Sequence, residues 1–162
     1  MELQAICKVF NKHSVDYLVI GGDAVNIYGG DRVTYDHDVW VNSSRDNLER
    51  LVDALYELEY IKDKNKIAVL DRIYRPVELF KKFKLNKFRL NETDIPLDIF
   101  SSNIRYKKFT LCYKRRNTIL IDKVEVNFIS KKDLIKLKKI AARSKDLLDI
   151  KKIDTSPLSL LG

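Results

Sequence analysis

The sequence predicts an α/β (α+β) domain, in which a mixed β-sheet is flanked by helices and followed by a C-terminal helical segment. Early strand-like runs, such as 16–20 and 36–41, are separated by helical patterns. Late runs, at 118–121 and 124–128, are close enough to pair as a hairpin. The chain has 162 residues, of which 45% are hydrophobic and 33% charged, and this suits one globular domain with a full core. Alternation of helices and strands followed by paired strands is typical of a mixed sheet with helices packed on it.

The first part of the chain divides into five elements. They are, in order, a helix at 2–12, a strand at 16–20 (DYLVI), a short helix at 23–28, a strand at 36–41 (DHDVWV) and a helix at 45–59. The helices show apolar residues at helical spacing, whereas the strands are short β-branched runs. Glycine pairs end the first strand and the short helix, at Gly21-Gly22 and Gly29-Gly30. Ser44 stands where it can cap the helix that follows.

The second part is less regular. From about 62 to 92 the chain is basic and ambiguous, with an uncertain helix or strand near 66–83. The later elements are strands at 86–91 and 95–100 (IPLDIF), a helix or strand at 103–115, the hairpin at 118–121 and 124–128, a helix from 130 to about 142, and a last helix at 144–153. Ser130 with Asp133 forms a capping box, and Ser144 can cap the last helix. We expect a single domain over 1–162, with the sheet core at 1–128 and the C-terminal helices at 129–162.

Several classes of protein are excluded by composition. No apolar run approaches the length of a membrane span, and the first four residues, MELQ, lack the layout of a signal peptide. The cysteines and histidines, Cys7, Cys112, His13 and His37, have no metal-site spacing. We therefore expect a reduced, cytoplasmic protein with no membrane partner.

The charge is strongly basic. The net charge is +8 and the isoelectric point is about 9.4, which favours a polyanion such as a nucleotide or RNA as partner. Two basic clusters stand out, the second with interleaved aromatic residues: Arg105, Lys107, Lys108, Lys114, Arg115 and Arg116, and Lys81, Lys82, Lys84, Lys87 and Arg89 with Phe80, Phe83 and Phe88. Such clusters can track a phosphate backbone and stack on bases. The alternative is that the cations are solvated and the phenylalanines belong to the core.

The glycines at Gly21-Gly22 end a buried strand and precede a short helix. Glycine there lets backbone N–H groups come close to a phosphate, although an ordinary turn has the same pattern. No Gly-Lys-Ser/Thr follows, and the spacing G-x-G-x-x-G is absent, so the segment is neither a P-loop nor a dinucleotide fingerprint.

Three aspartates are candidate metal ligands. Residues i and i+2 of a strand share a face, so Asp36 and Asp38 should lie side by side, with His37 on the opposite face as a packing residue rather than a base. Carboxylates this close repel each other unless a cation intervenes, and paired oxygen ligands suit Mg²⁺. Asp98 lies within an apolar strand, where an acid is costly unless it is paired or binds metal. Alternatively, these acids lie at solvated strand ends.

Together these segments resemble the nucleotidyltransferase superfamily, whose motif is a Gly-Gly or Gly-Ser turn, then Asp-x-Asp, then an aspartate on a later strand. The match is closer to the AbiEii/MenT-type branch, many members of which are toxins of toxin–antitoxin pairs. Its N-terminal pattern G-G-x-A…R-x-T-x-D-x-D is similar to Gly21, Gly22, Ala24, Arg32, Thr34, Asp36 and Asp38. Its ending D-L-I-x-x-K…R-x-K-D-x-x-D is similar to Asp133, Leu134, Ile135, Lys138, Arg143, Lys145, Asp146 and Asp149.

The resemblance implies an enzyme that moves a nucleoside monophosphate from an NTP to an acceptor hydroxyl, with two Mg²⁺ ions. It implies that Asp36, Asp38 and Asp98 are the catalytic and metal-binding residues. It also implies a set of nucleotide-binding residues: Gly21, Gly22, Arg32, Thr34, Lys138 and Asp146. The acceptor it suggests is RNA, such as a tRNA end, with a cognate antitoxin as a further partner. The alternatives are a small-molecule acceptor, as in antibiotic nucleotidyltransferases, a protein side chain, or a non-catalytic nucleotide- or partner-binding relative.

Two cations are ambiguous from sequence alone. Lys138 lies on the apolar stripe of its helix, where it either extends to the surface or reaches a polar site. Methionine would suit the same position in the stripe. The resemblance favours a site role, with Asp146 as a partner from the last helix. Arg32 is expected either to pair with a phosphate or to brace Asp36.

Overall fold

A computed structural model of the chain describes residues 2–61, 87–90, 96–101 and 109–155. For the strand at 87–90 only the backbone is described. The uncertain element near 66–83 lies outside the described residues. So do the side chains of the second basic cluster, and Arg105, Lys107 and Lys108 of the first.

The described strands form one mixed sheet. They are β1 (Tyr17–Val19), β2 (His37–Val41), β3 (Lys87–Leu90), β4 (Leu97–Phe100), β5 (Asn117–Ile121) and β6 (Val124–Phe128). Six strands run in the order β3-β4-β2-β1-β6-β5. The pairs β2/β4 and β1/β6 are parallel, whereas β1/β2, β3/β4 and β5/β6 are antiparallel. The predicted mixed sheet is therefore confirmed, and the late hairpin is its β5/β6 edge.

Helices flank this sheet, as expected. They are α1 (Leu3–Lys12), α2 (Gly21–Ile27), α3 (Arg45–Glu57), α4 (Phe109–Lys114), α5 (Lys131–Ala141) and α6 (Ser144–Thr155). The last two form the C-terminal helical segment and pack against each other, and α2 contacts both β2 and α5. None of the helices in the described part of the chain has the length and apolar run that a membrane span requires.

The core lies around the central strands and the helices packed on them. Its largest fully buried side chains include Phe10, Tyr17, Trp40 and Phe128. Phe10 meets Tyr17 edge-on, with ring centroids 5.4 Å apart, and this contact fastens α1 to β1. The fixed core holds β1, β2 and β4 in place, and the polar ends of β2 and β4 are where the site lies.

Some element boundaries differ from the sequence prediction. The short helix α2 begins at Gly21 rather than Asp23, because Gly21 adopts a φ of +66° that makes the sharp turn out of β1 possible. The ambiguous segment at 103–115 contains the helix α4 in its described part. Ser44 lies at the N-cap of α3, but its side chain makes no capping hydrogen bond.

The caps of the last two helices also bear on the prediction. Ser130 caps α5, because its Oγ accepts a hydrogen bond from the Asp133 backbone N–H at 3.2 Å. The prediction that Ser144 caps the last helix is wrong, since Ser144 is its first residue. A carboxylate inside the helix acts instead: the backbone N–H of Arg143 donates to Asp146 Oδ2 at 3.2 Å. The helix start is therefore tied to an acid that sequence analysis assigned to the site.

Candidate active site

Two neighbouring strands bring three aspartates together. In the parallel β2/β4 pair, Asp38 lies directly opposite Asp98, and Asp36 precedes β2 by one residue. One carboxylate oxygen from each of the three lies within 4.8 Å of the others. Asp98 is fully buried, whereas Asp36 and Asp38 are half-buried. The acids that sequence analysis singled out therefore form one cluster at the end of the sheet.

The chemistry of this cluster suits a divalent cation. All three donors are carboxylate oxygens, the ligand type that Mg²⁺ takes in proteins. Three carboxylates at this separation repel one another, and a cation between them removes that repulsion. The residues present thus fit a metal site, with two half-buried ligands toward solvent and a third beneath them.

His37 lies on the other face of β2 and does not join the cluster. Its side chain is buried, and its Nδ1 lies 2.9 Å from Asp23 Oδ2 on α2. Its backbone N–H donates to the carbonyl of Pro96 at 2.9 Å, next to the start of β4. His37 therefore joins α2 and β4 to β2, which agrees with the prediction of a packing residue.

The two glycines bring the backbone of α2 against the acids. A Cβ at Gly21 would overlap the carboxylate of Asp38, and a Cβ at Gly22 would lie 2.5 Å from Thr34 Cγ2. Both positions therefore require a residue without a side chain. The backbone N–H of Ile20, just before this turn, donates to the carbonyl of Asp38 at 2.9 Å. The turn and the metal-ligand strand are consequently held as one unit.

Residues 31–36, which precede β2, alternate between exposed and half-buried side chains. Arg32, Thr34 and Asp36 are half-buried, whereas Val33 and Tyr35 are 69% and 80% exposed. Among the half-buried residues, Thr34 lies against Gly22. Arg32 Nη1 lies 3.3 Å from Asp149 Oδ2 on α6. The expectation was that Arg32 pairs with a phosphate or braces Asp36, and the structure pairs it with Asp149.

Lys138 lies in a buried ion-pair cluster. Its side chain is almost fully buried, with Nζ 2.6 Å from Asp149 Oδ2 and 3.5 Å from Asp146 Oδ1. Asp146 is fully buried and Asp149 nearly so. The lysine does not extend to the surface, and of the two interpretations the polar one matches its position. The structure brings Asp146 to Lys138, as expected.

Arg143 extends this cluster to the solvent. Its Nε and Nη2 donate to the two carboxylate oxygens of Asp146, at 2.6 and 3.1 Å. Burial alone would raise the pKa of Asp146, but the hydrogen bond and charge of Arg143, with the charge of Lys138, lower it overall. The hydrogen bond to Asp146 raises the pKa of Arg143, and the negative charge of Asp38 adds to this. Asp38 and Arg143 therefore lie within electrostatic reach of each other.

Sequence analysis gave no role to Arg143 and Asp149. Both stand in the C-terminal motif, but only Lys138 and Asp146 were assigned to the site. One signal was present: residues three apart share a helix face, so Asp149 follows Asp146 on the same side of α6. The contact of Asp149 with Arg32 spans 117 residues and could not be inferred from spacing.

Two arginines of the first basic cluster are bound inside the fold. Arg115 Nη2 lies 2.9 Å from Asp133 Oδ2. Arg116 Nε donates to Asn127 Oδ1 at 3.1 Å, and its guanidinium lies 4.0 Å over the Tyr113 ring. Both guanidiniums are thus anchored within the domain, and the expectation that they track a phosphate backbone stays a prediction.

Comparison with known proteins identifies the fold. No protein-family model matches the chain, and no curated protein sequence matches it significantly. TM1012 from Thermotoga maritima, described as a nucleotidyltransferase, superposes with a TM-score of 0.64 at 11% identity, over 93% of this chain and 88% of that one. The lincomycin-bound lincosamide antibiotic adenylyltransferase LnuA gives a TM-score of 0.58 at 15% identity, over 96% and 97%. An antigenic nucleotidyltransferase-like protein from Paracoccidioides brasiliensis gives 0.55 at 15% identity, over 93% and 72%.

The fold is that of the nucleotidyltransferases. These similarities agree with the predicted fold class, and none of them points to the AbiEii/MenT-type branch. At 11–15% identity they establish a shared fold, so the chemistry of this chain depends on its own residues.

Proposed function

We propose that the chain is a Mg²⁺-dependent nucleotidyltransferase, which moves a nucleoside monophosphate from an NTP to an acceptor hydroxyl. The observation that carries this proposal is the clustering of the Asp36, Asp38 and Asp98 carboxylates within 4.8 Å, on a fold shared with nucleotidyltransferases. The three acids fit a divalent cation, and the reaction of the superfamily depends on such ions.

In this proposal each acid has a role. Asp36 and Asp38, half-buried and side by side, hold the cation that carries the triphosphate. Asp98, at the bottom of the cluster, orients the acceptor hydroxyl. Two bound Mg²⁺ ions would neutralise the charge of the phosphates and stabilise the entering and leaving oxygens of an in-line displacement. The acceptor hydroxyl, made more acidic beside Asp98 and a second cation, would lose its proton to solvent. Its oxygen forms a bond to the α-phosphorus as the bond to the bridging oxygen breaks, and pyrophosphate leaves.

The remaining residues bind the nucleotide or position those that do. Gly21 and Gly22 bring the backbone of the turn close against Asp38 and Thr34. In this proposal the backbone N–H groups of the turn bind the triphosphate. Lys138 and Asp146 are buried together, which supports a positioning role behind the phosphate site rather than a first contact with substrate. Arg32 extends the same network through Asp149.

For the acceptor, we propose RNA, such as a tRNA end, on the basis of the net charge of +8. A toxin role with a cognate antitoxin partner goes with that acceptor. The alternative is a small-molecule acceptor, and one observation favours it: LnuA, an antibiotic adenylyltransferase, is covered over 97% of its length. A non-catalytic relative is less consistent with the chain, since it would have no need to keep three mutually repelling acids together.

The experiment is an acceptor screen. Each of the four α-³²P-labelled NTPs is incubated with the protein and Mg²⁺, in one arm with total RNA and in the other with lincosamides and aminoglycosides. Products are resolved on gels and by thin-layer chromatography, and Asp38→Asn serves as the control. Labelled RNA in the wild-type reaction alone supports the RNA acceptor, and a labelled small molecule supports the alternative. No labelled product in either arm would speak against both.

A further inference from the structure

The side chain of Arg143 is bound to a buried carboxylate on one edge and exposed to solvent elsewhere. The two carboxylate oxygens of Asp146 accept hydrogen bonds from Nε and Nη2 of Arg143, at 2.6 and 3.1 Å. Asp146 is itself fully buried and held by Lys138, so this anchor is rigid. The side chain of Arg143 nevertheless remains 61% exposed. The guanidinium is therefore fixed in orientation while much of it still faces solvent.

The pairing with Asp146 does not use all the hydrogen-bond donors of the Arg143 guanidinium. A guanidinium carries five N–H donors, and the side-on contact with Asp146 uses one on Nε and one on Nη2. Three donors, two of them on Nη1, remain available for a second anion. Arginine suits this task because its planar fork can bind a carboxylate on one edge and a phosphate on another.

The position of Arg143 indicates which anion this is. Ion pairs link Arg143 to the glycine turn beside Asp38. Arg143 pairs with Asp146, and Lys138 pairs with both Asp146 and Asp149. Asp149 in turn pairs with Arg32, whose guanidinium carbon lies 3.8 Å from where a Cβ at Gly22 would stand. The other two described cations of this network, Arg32 and Lys138, are both paired with Asp149 and are more buried than Arg143. Arg143 is thus the most exposed of these three cations, in a network that reaches the glycine turn beside Asp38.

We infer that Arg143 is a substrate-binding residue, whose guanidinium binds the β- and γ-phosphates of the NTP held at Asp36 and Asp38. This inference rests on the proposed function and names a contact that the sequence analysis did not assign. A phosphate is the anion that the proposed reaction brings to this site. It would replace water on the donors of Arg143 that Asp146 does not use, without breaking the Arg143–Asp146 pair.

The chain contains a matched control. Arg115 also donates through Nε and Nη2 to a buried carboxylate, that of Asp133, at 3.0 and 2.9 Å, and its side chain is 47% exposed. Its partner Asp133 lies in the first turn of α5 and is not one of the three clustered acids. Arg115→Ala therefore removes a comparable surface arginine together with its ion pair to the buried Asp133, and it leaves the three clustered acids unchanged.

The test measures nucleotide binding by isothermal titration calorimetry. The NTP that wild type binds best with Mg²⁺ is compared with its mono- and diphosphate, for wild type, Arg143→Ala and Arg115→Ala. Arg143→Ala should weaken NTP binding roughly 10- to 100-fold, which is the loss expected for charge-assisted hydrogen bonds. Its affinity for the monophosphate should stay within about twofold of wild type, since that ligand lacks the outer phosphates. Arg115→Ala should leave both affinities unchanged.

A second variant tests whether Arg143→Ala acts only by damaging the fold. Arg143→Lys keeps a cation beside the buried Asp146 but removes the fork, and it should still bind NTP more weakly than wild type. If Arg143→Ala weakens mono- and triphosphate alike, or if Arg143→Lys binds NTP as tightly as wild type, Arg143 does not bind the outer phosphates. If wild type binds none of the four NTPs, the proposed function itself fails. If wild type binds an NTP but the variants give either of the results above, only the role of Arg143 fails.

Discussion

Replacing Lys138 with methionine should destabilise the protein strongly. The change removes the cation that lies 2.6 Å from Asp149 and 3.5 Å from Asp146, inside α5 and α6. Breaking a buried ion pair by removing one partner costs about 3–5 kcal/mol, because it leaves an uncompensated buried charge. Each carboxylate keeps an arginine, Asp146 through Arg143 and Asp149 through Arg32. We therefore expect the lower end of that range, about 3 kcal/mol.

The assay is urea denaturation followed by the fluorescence of Trp40, the single tryptophan of the chain, which is fully buried. Lys136→Met is the matched control, because Lys136 is exposed on the same helix, and it should change the free energy of unfolding by less than about 0.5 kcal/mol. Adding Asp149→Asn to Lys138→Met should recover part of the loss, since it removes one of the two buried carboxylates that have lost Lys138. A loss for Lys138→Met no larger than for Lys136→Met would refute the assignment of a buried ion-pair cluster.

Three further predictions concern the same site. Gly21→Ala should abolish activity, because its Cβ would overlap the Asp38 carboxylate. The control is Gly29→Ala, at a φ of +88°, which should lower the free energy of unfolding by about 1–2 kcal/mol through similar backbone strain. An activity assay of both variants should find that Gly29→Ala stays active. Mg²⁺ with NTP should raise the melting temperature of wild type, as a ligand of the folded state does, and an equal rise in Asp38→Ala would exclude Asp38 as a ligand. Because the pKa of folded Asp146 lies below its usual 3.8, its charge stabilises the fold above that pH and less as the pH falls below it. The difference in unfolding free energy between wild type and Asp146→Asn should consequently shrink below about pH 3.8, and a constant difference would contradict the ion pair.

The local part of the metal cluster could be predicted from sequence. Strand alternation places Asp36 and Asp38 on one face, and an acid within an apolar strand made Asp98 a candidate. What spacing could not give is the pairing of β2 with β4, which sets Asp38 opposite Asp98 across 60 residues of chain. That pairing depends on the order of strands in the sheet, whereas the resemblance implied only that the three acids belong to one site.

The surroundings of the cations were harder to predict. Lys138 stands on an apolar stripe, so sequence alone suggests that methionine would be tolerated there. The structure changes that expectation, because the angle between α5 and α6 brings two acids to the lysine. Likewise, a run of basic residues does not reveal that Arg115 pairs with Asp133 and Arg116 with Asn127. Partners of long side chains depend on tertiary packing, which a charge pattern does not encode.

The central claim is that the cluster of Asp36, Asp38 and Asp98 supports nucleotidyl transfer, and a comparison of label positions tests it most directly. The protein is incubated with Mg²⁺ and an acceptor from the screen, together with the same NTP labelled either at the α- or at the γ-phosphate. Wild type should transfer the α-label to the acceptor and release the γ-label as pyrophosphate, and Asp38→Asn should do neither. Transfer of the γ-label to the acceptor, or equal transfer of the α-label by Asp38→Asn, would contradict the claim.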